Sequence, residues 1–332
     1  MSVPGSLKFA LKRGALVTAA NWPVVLVQFV ADSLFKTLLA VPLVGGVLLV
    51  ALVVGGDPID LLRHEPGQIV STMVGVLLAQ PVALAAFLAA LGLILIGGSV
   101  LMFAIKAGSV TVLVAGERAA GPIEQPPLRM SALEHVNQAS IERYTNGIRS
   151  LFGRYLRLGI GLSVVYAMCA GGYLALVFGP PLSASLDWPL VVALASLALI
   201  VVITLVNFVY LLLQIVVATE DCAVHAAIPH VARLLRRRPR EVGQVLAAIL
   251  ALMVMATGAS ILATTALGLI AFVPFVGLAA IPLQILAWLV RGVVFQFVGL
   301  TGAATYLRLH RTLQPSGVTA PQSDRLHQVT RA

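Results

Sequence analysis

Hydrophobic residues in this chain are concentrated in long, nearly uninterrupted runs. Six runs cover residues 33–55, 82–106, 155–178, 189–214, 243–266 and 281–304. About 18 or more consecutive apolar residues form a helix long enough to cross the hydrocarbon core of a bilayer. The pattern therefore predicts an all-α fold, in which residues 1–311 form a polytopic transmembrane helical bundle with about six spans.

The two long connections between the runs have the pattern of amphipathic helices. Ser131–Glu134 matches a capping box, in which the Ser and Glu side chains satisfy free backbone N–H groups at a helix start. The face predicted to be apolar in the first connection carries Leu133, Val136, Tyr144, Ile148 and Leu151. In the second connection it carries Val224, Ile228, Val231 and Leu235. Residues 6–20 form a weaker third example, so an amphipathic helix followed by a membrane hairpin recurs three times along the sequence.

Three further segments fit this scheme less directly. Residues 69–80 are apolar but too short to span a bilayer, and residues 267–280 are interrupted by Pro274. Each is either a re-entrant segment or a kinked extension of a neighbouring helix. The polar tail, residues 312–332, is predicted to be disordered.

Composition agrees with a membrane protein. Hydrophobic residues make up 59% of the chain and charged residues 11%, and the mean hydropathy is +1.00. A soluble domain has about 25% charged residues. The distribution of Lys and Arg gives the orientation, because these residues are retained on the cytoplasmic side. With six spans, eighteen Lys and Arg residues lie on one side, counting Arg157 at the edge of the third span, and only Arg63 lies on the other. This predicts that both termini lie in the cytoplasm. The preference for Arg over Lys, 18 to 4, indicates a GC-rich bacterial genome, so the expected location is the bacterial inner membrane.

The net charge of +9 needs no nucleic-acid partner, because cations retained in the cytoplasmic segments explain it. The expected partners are membrane lipids, and anionic ones in particular. The densest basic cluster provides the candidate contact with anionic lipid: Arg233, Arg236, Arg237, Arg238 and Arg240. Each cation near an anionic surface contributes about 1 kcal/mol.

Polar residues inside the predicted spans are the candidate site, because a charge at a helix centre is costly. They are Asp32, Lys36, Lys106, Asn207 and Arg291. One interpretation is a cytoplasm-facing polar cleft; the alternative is that the lysines snorkel to the interface. Asp32 is the in-span acidic residue available to Arg291, although Lys36 competes for it from one helical turn away. If Asp32 pairs with Lys36, Arg291 needs another hydrogen-bond partner, which could be a carbonyl oxygen, a water molecule or an anionic ligand.

The sequence contains no catalytic or cofactor signature. It lacks a P-loop, an H-E-x-x-H zinc motif and a G-x-S-x-G elbow. Glu117 and the Glu220–Asp221 pair could act as an acid/base couple, but they are expected to form interfacial ion pairs or helix caps. His225 and His230 are five residues apart, which does not bring them together on a helix as metal ligands. No cofactor, metal site or disulfide between Cys169 and Cys222 is predicted.

Three short segments resemble a known group of proteins. They are Val217–Asp221, then Leu234–Pro239 before the next span, and Ala303–Arg308 at the end of the last one. The pattern resembles uncharacterised six-span bacterial membrane proteins, a group that includes the membrane domain of some glycerophosphodiester phosphodiesterases. Where that group has an Arg-Ser-Trp-like step, this chain has Pro229–Val231. The catalytic barrel is absent from this sequence, so the resemblance implies the architecture without that activity.

These observations leave three classes of function. The first is a non-enzymatic membrane protein that interacts with lipid or supports envelope organisation. The second is a transporter or permease subunit that uses the polar cleft, and the third is a lipid-modifying membrane enzyme. The first requires no catalytic group and agrees best with the sequence.

The charge distribution leads to a topology prediction. Single cysteines at position 64 or within 182–186 should react with an impermeant thiol reagent added outside the cell, because these segments follow odd-numbered spans. Cysteines at positions 125 and 237 should react only after the membrane is permeabilised. Outside labelling at position 125 would contradict the six-span topology.

Overall fold

The computed structural model describes residues 7–54, 75, 79–125, 130–178, 188–271 and 276–312. Within these ranges all regular structure is helical, and no strand occurs. The nine helices that lie there are α1 (Leu7–Ala20), α2 (Trp22–Val54), α3 (Pro81–Ala119), α4 (Met130–Val136), α5 (Ile141–Phe178), α6 (Trp188–Glu220), α7 (Val224–Arg237), α8 (Pro239–Ala271) and α9 (Val276–Arg311). Most of residues 69–80, residues 272–275 and the tail from 313 onwards lie outside the described residues.

Helices α2, α3, α5, α6, α8 and α9 are long and apolar enough to span a membrane. The prediction of an all-α, multi-pass membrane bundle with about six spans is therefore confirmed. Helix α9 packs against α1, α2, α3, α6 and α8 and thus occupies the centre of the bundle.

Several helices continue well beyond the predicted hydrophobic runs. Helix α3 extends past Lys106 to Ala119, and α5 begins at Ile141, before the predicted start at 155. The added part of α3 is buried against other helices, as Val112, Leu113 and Glu117 show. Other helices, and not lipid, cover this part of α3, so the helix continues beyond the length needed to cross the bilayer.

The prediction of one continuous helix across the first connection is wrong. Helix α4 ends at Val136, and residues 137–140 are non-helical before α5 begins. The predicted helix cap at Ser131 is not formed, because Ser131 lies inside α4. A serine cap occurs instead at the start of α5, where the Ser140 hydroxyl accepts a hydrogen bond from the Arg143 N–H at 3.2 Å. The predicted apolar face is nevertheless the inner one, because Val136 and Leu151 are buried.

The break in this connection has a tertiary cause. Asn21, fully buried between α1 and α2, donates to the Val17 and Val136 carbonyl oxygens at 2.9 and 3.0 Å. Its side-chain oxygen accepts from the Gln138 N–H at 2.8 Å. A buried amide requires such partners, and an uninterrupted helix would have used the same backbone groups internally.

Burial is concentrated at one end of the bundle. This packed end contains the last turns of α3, α6 and α9, the first turns of α5 and α8, and helices α1, α4 and α7. The largest fully buried side chains all lie there: Tyr155, Tyr306, Leu113, Leu212, Ile215, Leu234 and Leu307. In the other half, which we call the apolar half, Leu93, Met168 and Leu262 are more than 70% exposed. Such a surface is suited to contact with lipid.

Helix α1 is integrated into the packed end. At Gly14, an added Cβ would lie 2.2 Å from the Thr305 hydroxyl oxygen and 2.8 Å from the Thr301 carbonyl oxygen. Only glycine permits this close approach of α1 to α9.

On the second amphipathic helix, α7, the residues Ala227, Val231 and Leu234 are buried against the bundle. Of the apolar face predicted for α7, Val231 is buried, Val224 and Leu235 are half-buried, and Ile228 is exposed. The face that packs on protein is therefore rotated from the predicted one toward Ala227 and Leu234.

An ion-pair network joins the elements of the packed end. The Arg13 guanidinium donates to both Glu117 carboxylate oxygens at 2.8 and 3.1 Å, and to Glu124 at 3.0 Å. Arg308 of α9 pairs with Glu124 at 2.9 Å. Arg13 also donates to the carbonyl oxygens of Ala120 and Gly121, at 2.7 Å each. The network therefore connects α1, α3, the 120–125 loop and α9.

The charge of Glu124 makes part of the stability that the ion-pair network provides depend on pH. Burial raises the pKa of its carboxyl group, but a backbone hydrogen bond and the charges of Arg13 and Arg308 outweigh burial, so the pKa lies below 4.5. A carboxyl group whose pKa is lowered in the folded state stabilises the fold at pH values above its unfolded-state pKa. This stabilisation is lost as the pH falls through the pKa of the folded state. Wild type should therefore melt higher than Glu124→Gln at neutral pH, and the difference should disappear as the solution is acidified below about pH 4.

The measurement is a thermal melt in detergent across this pH range. Glu134→Gln, an exposed change on α4, is the matched control and should leave the curve unchanged. A difference between wild type and Glu124→Gln that stays constant with pH would show that the carboxylate charge does not stabilise the network.

Candidate functional site

A cleft of about 500 Å³ lies between α2, α8 and α9. Its polar lining consists of Asp32, Ser33, Lys36, Arg291 and Gln296. The apolar lining consists of Phe29, Met253, Trp288, Gly292, Phe295 and Gly299. Arg291 is fifteen residues from the start of α9 and twenty from its end, roughly 22 and 30 Å along the helix. The cleft is thus near the middle of the span.

Three of the five predicted cleft residues line this cavity. Lys36 pairs with Asp32 at 2.6 Å, one turn apart on α2, and the Lys36 side chain is 64% exposed. The Arg291 guanidinium lies 5.5 Å from the centre of the Phe295 ring. Arg291 has no hydrogen bond or ion pair within the described part of the chain. Asp32 therefore pairs with Lys36 here and not with Arg291, so Arg291 has no acidic partner among the residues that the structure describes.

The wall of the cleft depends on a close helix contact. The Phe29 ring of α2 packs over Gly292 of α9, where an added Cβ would lie 2.4 Å from the ring. Glycine at this position lets the aromatic ring fill the contact. Helices α2 and α9 are thereby held together beside Arg291, and the charged groups of the two helices face a common space.

The other two predicted cleft residues lie in different surroundings. The Lys106 ammonium on α3 lies 5.4 Å from the centre of the Tyr210 ring on α6. It also interacts electrostatically with Asp32, so it is near the cleft without lining it. Asn207 accepts a hydrogen bond from the Tyr166 hydroxyl at 2.5 Å. These residues form polar contacts between α3 and α6 and between α5 and α6.

The arginines predicted to contact anionic lipid lie around the junction of α7 and α8. Arg233, Arg236, Arg237 and Arg240 are exposed. Arg238 is half-buried and pairs with Glu241 at 2.8 Å. Arg233, Arg236 and Arg237 lie on the side of α7 that does not pack on the bundle, and Arg240 lies in the first turn of α8. These exposed side chains are available to a charged surface.

Acidic residues at the ends of the spans are engaged in ion pairs. Glu117 pairs with Arg13 and Asp221 with Arg154, and Glu220 contacts His310 at 2.9 Å. The expectation that these residues form interfacial ion pairs is confirmed for the two arginine-bound carboxylates. In the described ranges no three His, Cys, Asp or Glu residues cluster as metal ligands would.

The aromatic lining of the cleft was not predicted from the sequence. Trp288 and Phe295 are three residues before and four after Arg291, so they share its side of the helix. This spacing is visible in the sequence, but in an apolar span it does not distinguish a cleft wall from a lipid-facing surface. In the structure, α9 packs against α2 beside these residues, so this side of α9 forms a wall of the cleft.

No family model, curated protein or solved structure matches this chain. The resemblance to the membrane domain of glycerophosphodiester phosphodiesterases therefore stays a prediction, and function has to be argued from the cleft itself.

The pairing within the cleft can be tested by two double-mutant cycles. One combines Asp32→Asn with Lys36→Gln, and the other combines Asp32→Asn with Arg291→Gln. Residues in direct contact typically show coupling energies of about 0.5–3 kcal/mol. We expect coupling in the first cycle and near-additivity in the second, measured as melting temperatures in detergent. Stronger coupling in the second cycle would mean that Asp32 pairs with Arg291.

Proposed function

We propose that this chain is a non-enzymatic integral protein of the bacterial cytoplasmic membrane, with both termini in the cytoplasm. In this proposal the cleft binds the anionic group of a lipid, and the protein supports membrane organisation. The single observation that carries the proposal is Arg291, a guanidinium in the middle of a span without an acidic partner within the described residues.

The charge of the cleft favours an anionic occupant. Lys36 neutralises Asp32, so within the described part of the chain no acidic side chain balances the positive charge of Arg291. An unpaired charge at membrane depth costs several kcal/mol, and a bound anion reduces that cost. The planar guanidinium donates two parallel hydrogen bonds to a carboxylate or a phosphate, which an ammonium cannot do.

The apolar lining favours an amphiphile over a fully polar solute. Phe29, Trp288 and Phe295 provide aromatic surface around the charged groups. Trp288 is 49% exposed, so part of its surface remains for a further contact. An amphiphile would place its charged group at Arg291 and its chain along these rings.

The packed end supports the proposed orientation. It carries the exposed arginines of α7 and α8, and clusters of Lys and Arg are retained on the cytoplasmic side. The cytoplasmic leaflet is rich in anionic lipid, which attracts such residues. Arg233, Arg236, Arg237, Arg238 and Arg240 would then contact the headgroup layer.

A transporter or permease subunit is the second candidate. Both signs of charge line the cleft, at Asp32, Lys36 and Arg291. A small zwitterionic solute could therefore bind in the same space. Transport would require solute flux across the bilayer of proteoliposomes, whereas the lipid-binding proposal requires only retention of lipid.

The test of lipid binding is native mass spectrometry of the purified protein. Wild type should retain phosphatidylglycerol in preference to phosphatidylcholine. Arg291→Gln should weaken this retention about tenfold, because a charge-assisted hydrogen bond to the lipid is lost. Arg291→Lys, which keeps the charge but not the planar donor geometry, should fall between the two.

Arg149→Gln is the matched control, because Arg149 is an exposed arginine of α5, outside the cleft and outside the basic cluster of α7 and α8. It should retain the lipid specificity of wild type. Equal retention of the two lipids by wild type, or equal loss in Arg291→Gln and Arg149→Gln, would contradict specific binding at the cleft.

A further inference from the structure

A second cavity, separate from the cleft, lies at the packed end between α3, α5 and α6. We call it the arginine groove, and its volume is about 700 Å³. Arg118 of α3 and Arg143 of α5 line it, together with Thr219 at the end of α6 and Asp221 just after that helix. None of these residues lines the cleft at Arg291.

The groove has an excess of positive charge. Arg154 forms an ion pair with Asp221, whose side chain is 80% exposed. This pair neutralises the aspartate, so the charges of Arg118 and Arg143 remain uncompensated within the part of the chain that the structure describes. Two guanidinium groups at one cavity disfavour a cationic or neutral ligand and favour an anion.

Both arginines are held in place while keeping donors available. Arg118 donates from Nη2 to the Thr219 carbonyl oxygen at 3.4 Å, and Arg143 donates from Nη1 to the Gln138 carbonyl oxygen at 3.0 Å. A guanidinium carries five N–H donors. Among the described contacts, the Nε and remaining terminal nitrogens of both side chains make no hydrogen bond. These tethers restrict the side chains, which reduces the entropy lost when a ligand binds.

The lining beyond the arginines also suits an oxyanion with an apolar attachment. Ser150 and Thr219 add hydroxyl groups to the groove, and Ala115 and Leu151 add apolar surface. The walls are close-packed: an added Cβ at Gly147 of α5 would lie 2.5 Å from the Thr111 hydroxyl oxygen of α3. The groove is therefore a fixed concavity between two helices in contact.

The backbone conformation at the edge of the groove positions Asp221. Asp221 directly follows α6 and has a φ of 48°, in the left-handed region. A left-handed residue at this place is a common helix ending, and Asp adopts it more readily than most residues. Its carboxylate pairs with Arg154.

We propose that the arginine groove binds a phosphate group through Arg118 and Arg143. A phosphate offers several acceptor oxygens to the unused N–H donors of the two guanidinium groups. The phosphate belongs either to a lipid headgroup at the membrane surface or to a soluble phosphorylated compound. Both sources present the same chemistry to the groove, and the experiment distinguishes them.

The test measures the thermal stability of the full-length protein with two probes. The first is inorganic phosphate, titrated at constant ionic strength into protein in a neutral detergent. The second is phosphatidic acid, added to phosphatidylcholine nanodiscs. Stabilisation by inorganic phosphate indicates a soluble ligand, and stabilisation only by phosphatidic acid indicates a headgroup. Stabilisation by neither probe would overturn the proposal.

The variants locate the binding site. Arg118→Gln should weaken binding of the effective probe about tenfold, since one charge-assisted donor set is lost. Arg143→Gln should do the same, and it replaces the first variant if Arg118→Gln does not fold. Arg149→Gln removes an exposed arginine of α5 outside the groove and should bind as wild type does. Equal weakening in Arg149→Gln would overturn the proposal, because it would show a general charge effect.

Arg291→Gln separates this inference from the proposed lipid site. That substitution changes the cleft and leaves the groove intact, so phosphate-dependent stabilisation should persist in it. Loss of the stabilisation in Arg291→Gln, with retention in Arg118→Gln, would assign the phosphate to the cleft and overturn the groove site.

Discussion

The buried guanidinium of Arg13 is the interaction on which the arrangement of this bundle depends. A charge removed from water must be paired and hydrogen-bonded, and the Arg13 side chain is only 11% exposed. Its partners come from α3 and from the loop that follows, and Arg308 brings α9 to the same carboxylate at Glu124. Removing one partner from a buried pair typically costs about 3–5 kcal/mol, a large part of the stability of an ordinary protein. The N-terminal helix, the end of α3 and the end of α9 therefore keep one relative position.

This constraint divides the molecule into two regions with different roles. The packed end contains most of the buried side chains, and its network of Arg13, Glu117, Glu124 and Arg308 is paired within the protein. The apolar half exposes large hydrophobic residues, a surface suited to lipid. Among the described residues, Arg291 in the apolar half and Arg118 and Arg143 of the groove at the packed end have no acidic partner. Both proposals of ligand binding rest on these three arginines.

Much of the architecture could be predicted from the sequence because hydropathy and charge act over short distances along the chain. Run lengths predicted the six spans, and the four-residue spacing of Asp32 and Lys36 predicted one of the two pairings that the sequence left open for Asp32. The network could not be predicted, because 104 residues separate Arg13 from Glu117 and nothing local identifies the partner. The break after α4 was missed for a related reason: the side chain of Asn21 binds backbone groups that helix propensity alone would have kept in the helix. Likewise, hydropathy cannot distinguish burial by protein from burial by lipid, so the end of α3 was placed too early.

A structure of the protein determined in nanodiscs that contain anionic lipid would test the central claim most directly. The density around Arg291 is the measurement. The proposal predicts a headgroup within hydrogen-bond distance of the guanidinium, with acyl density along Trp288 and Phe295. A guanidinium paired with Asp32, or one that extends away from the cleft with no lipid headgroup beside it, would contradict the proposed lipid site.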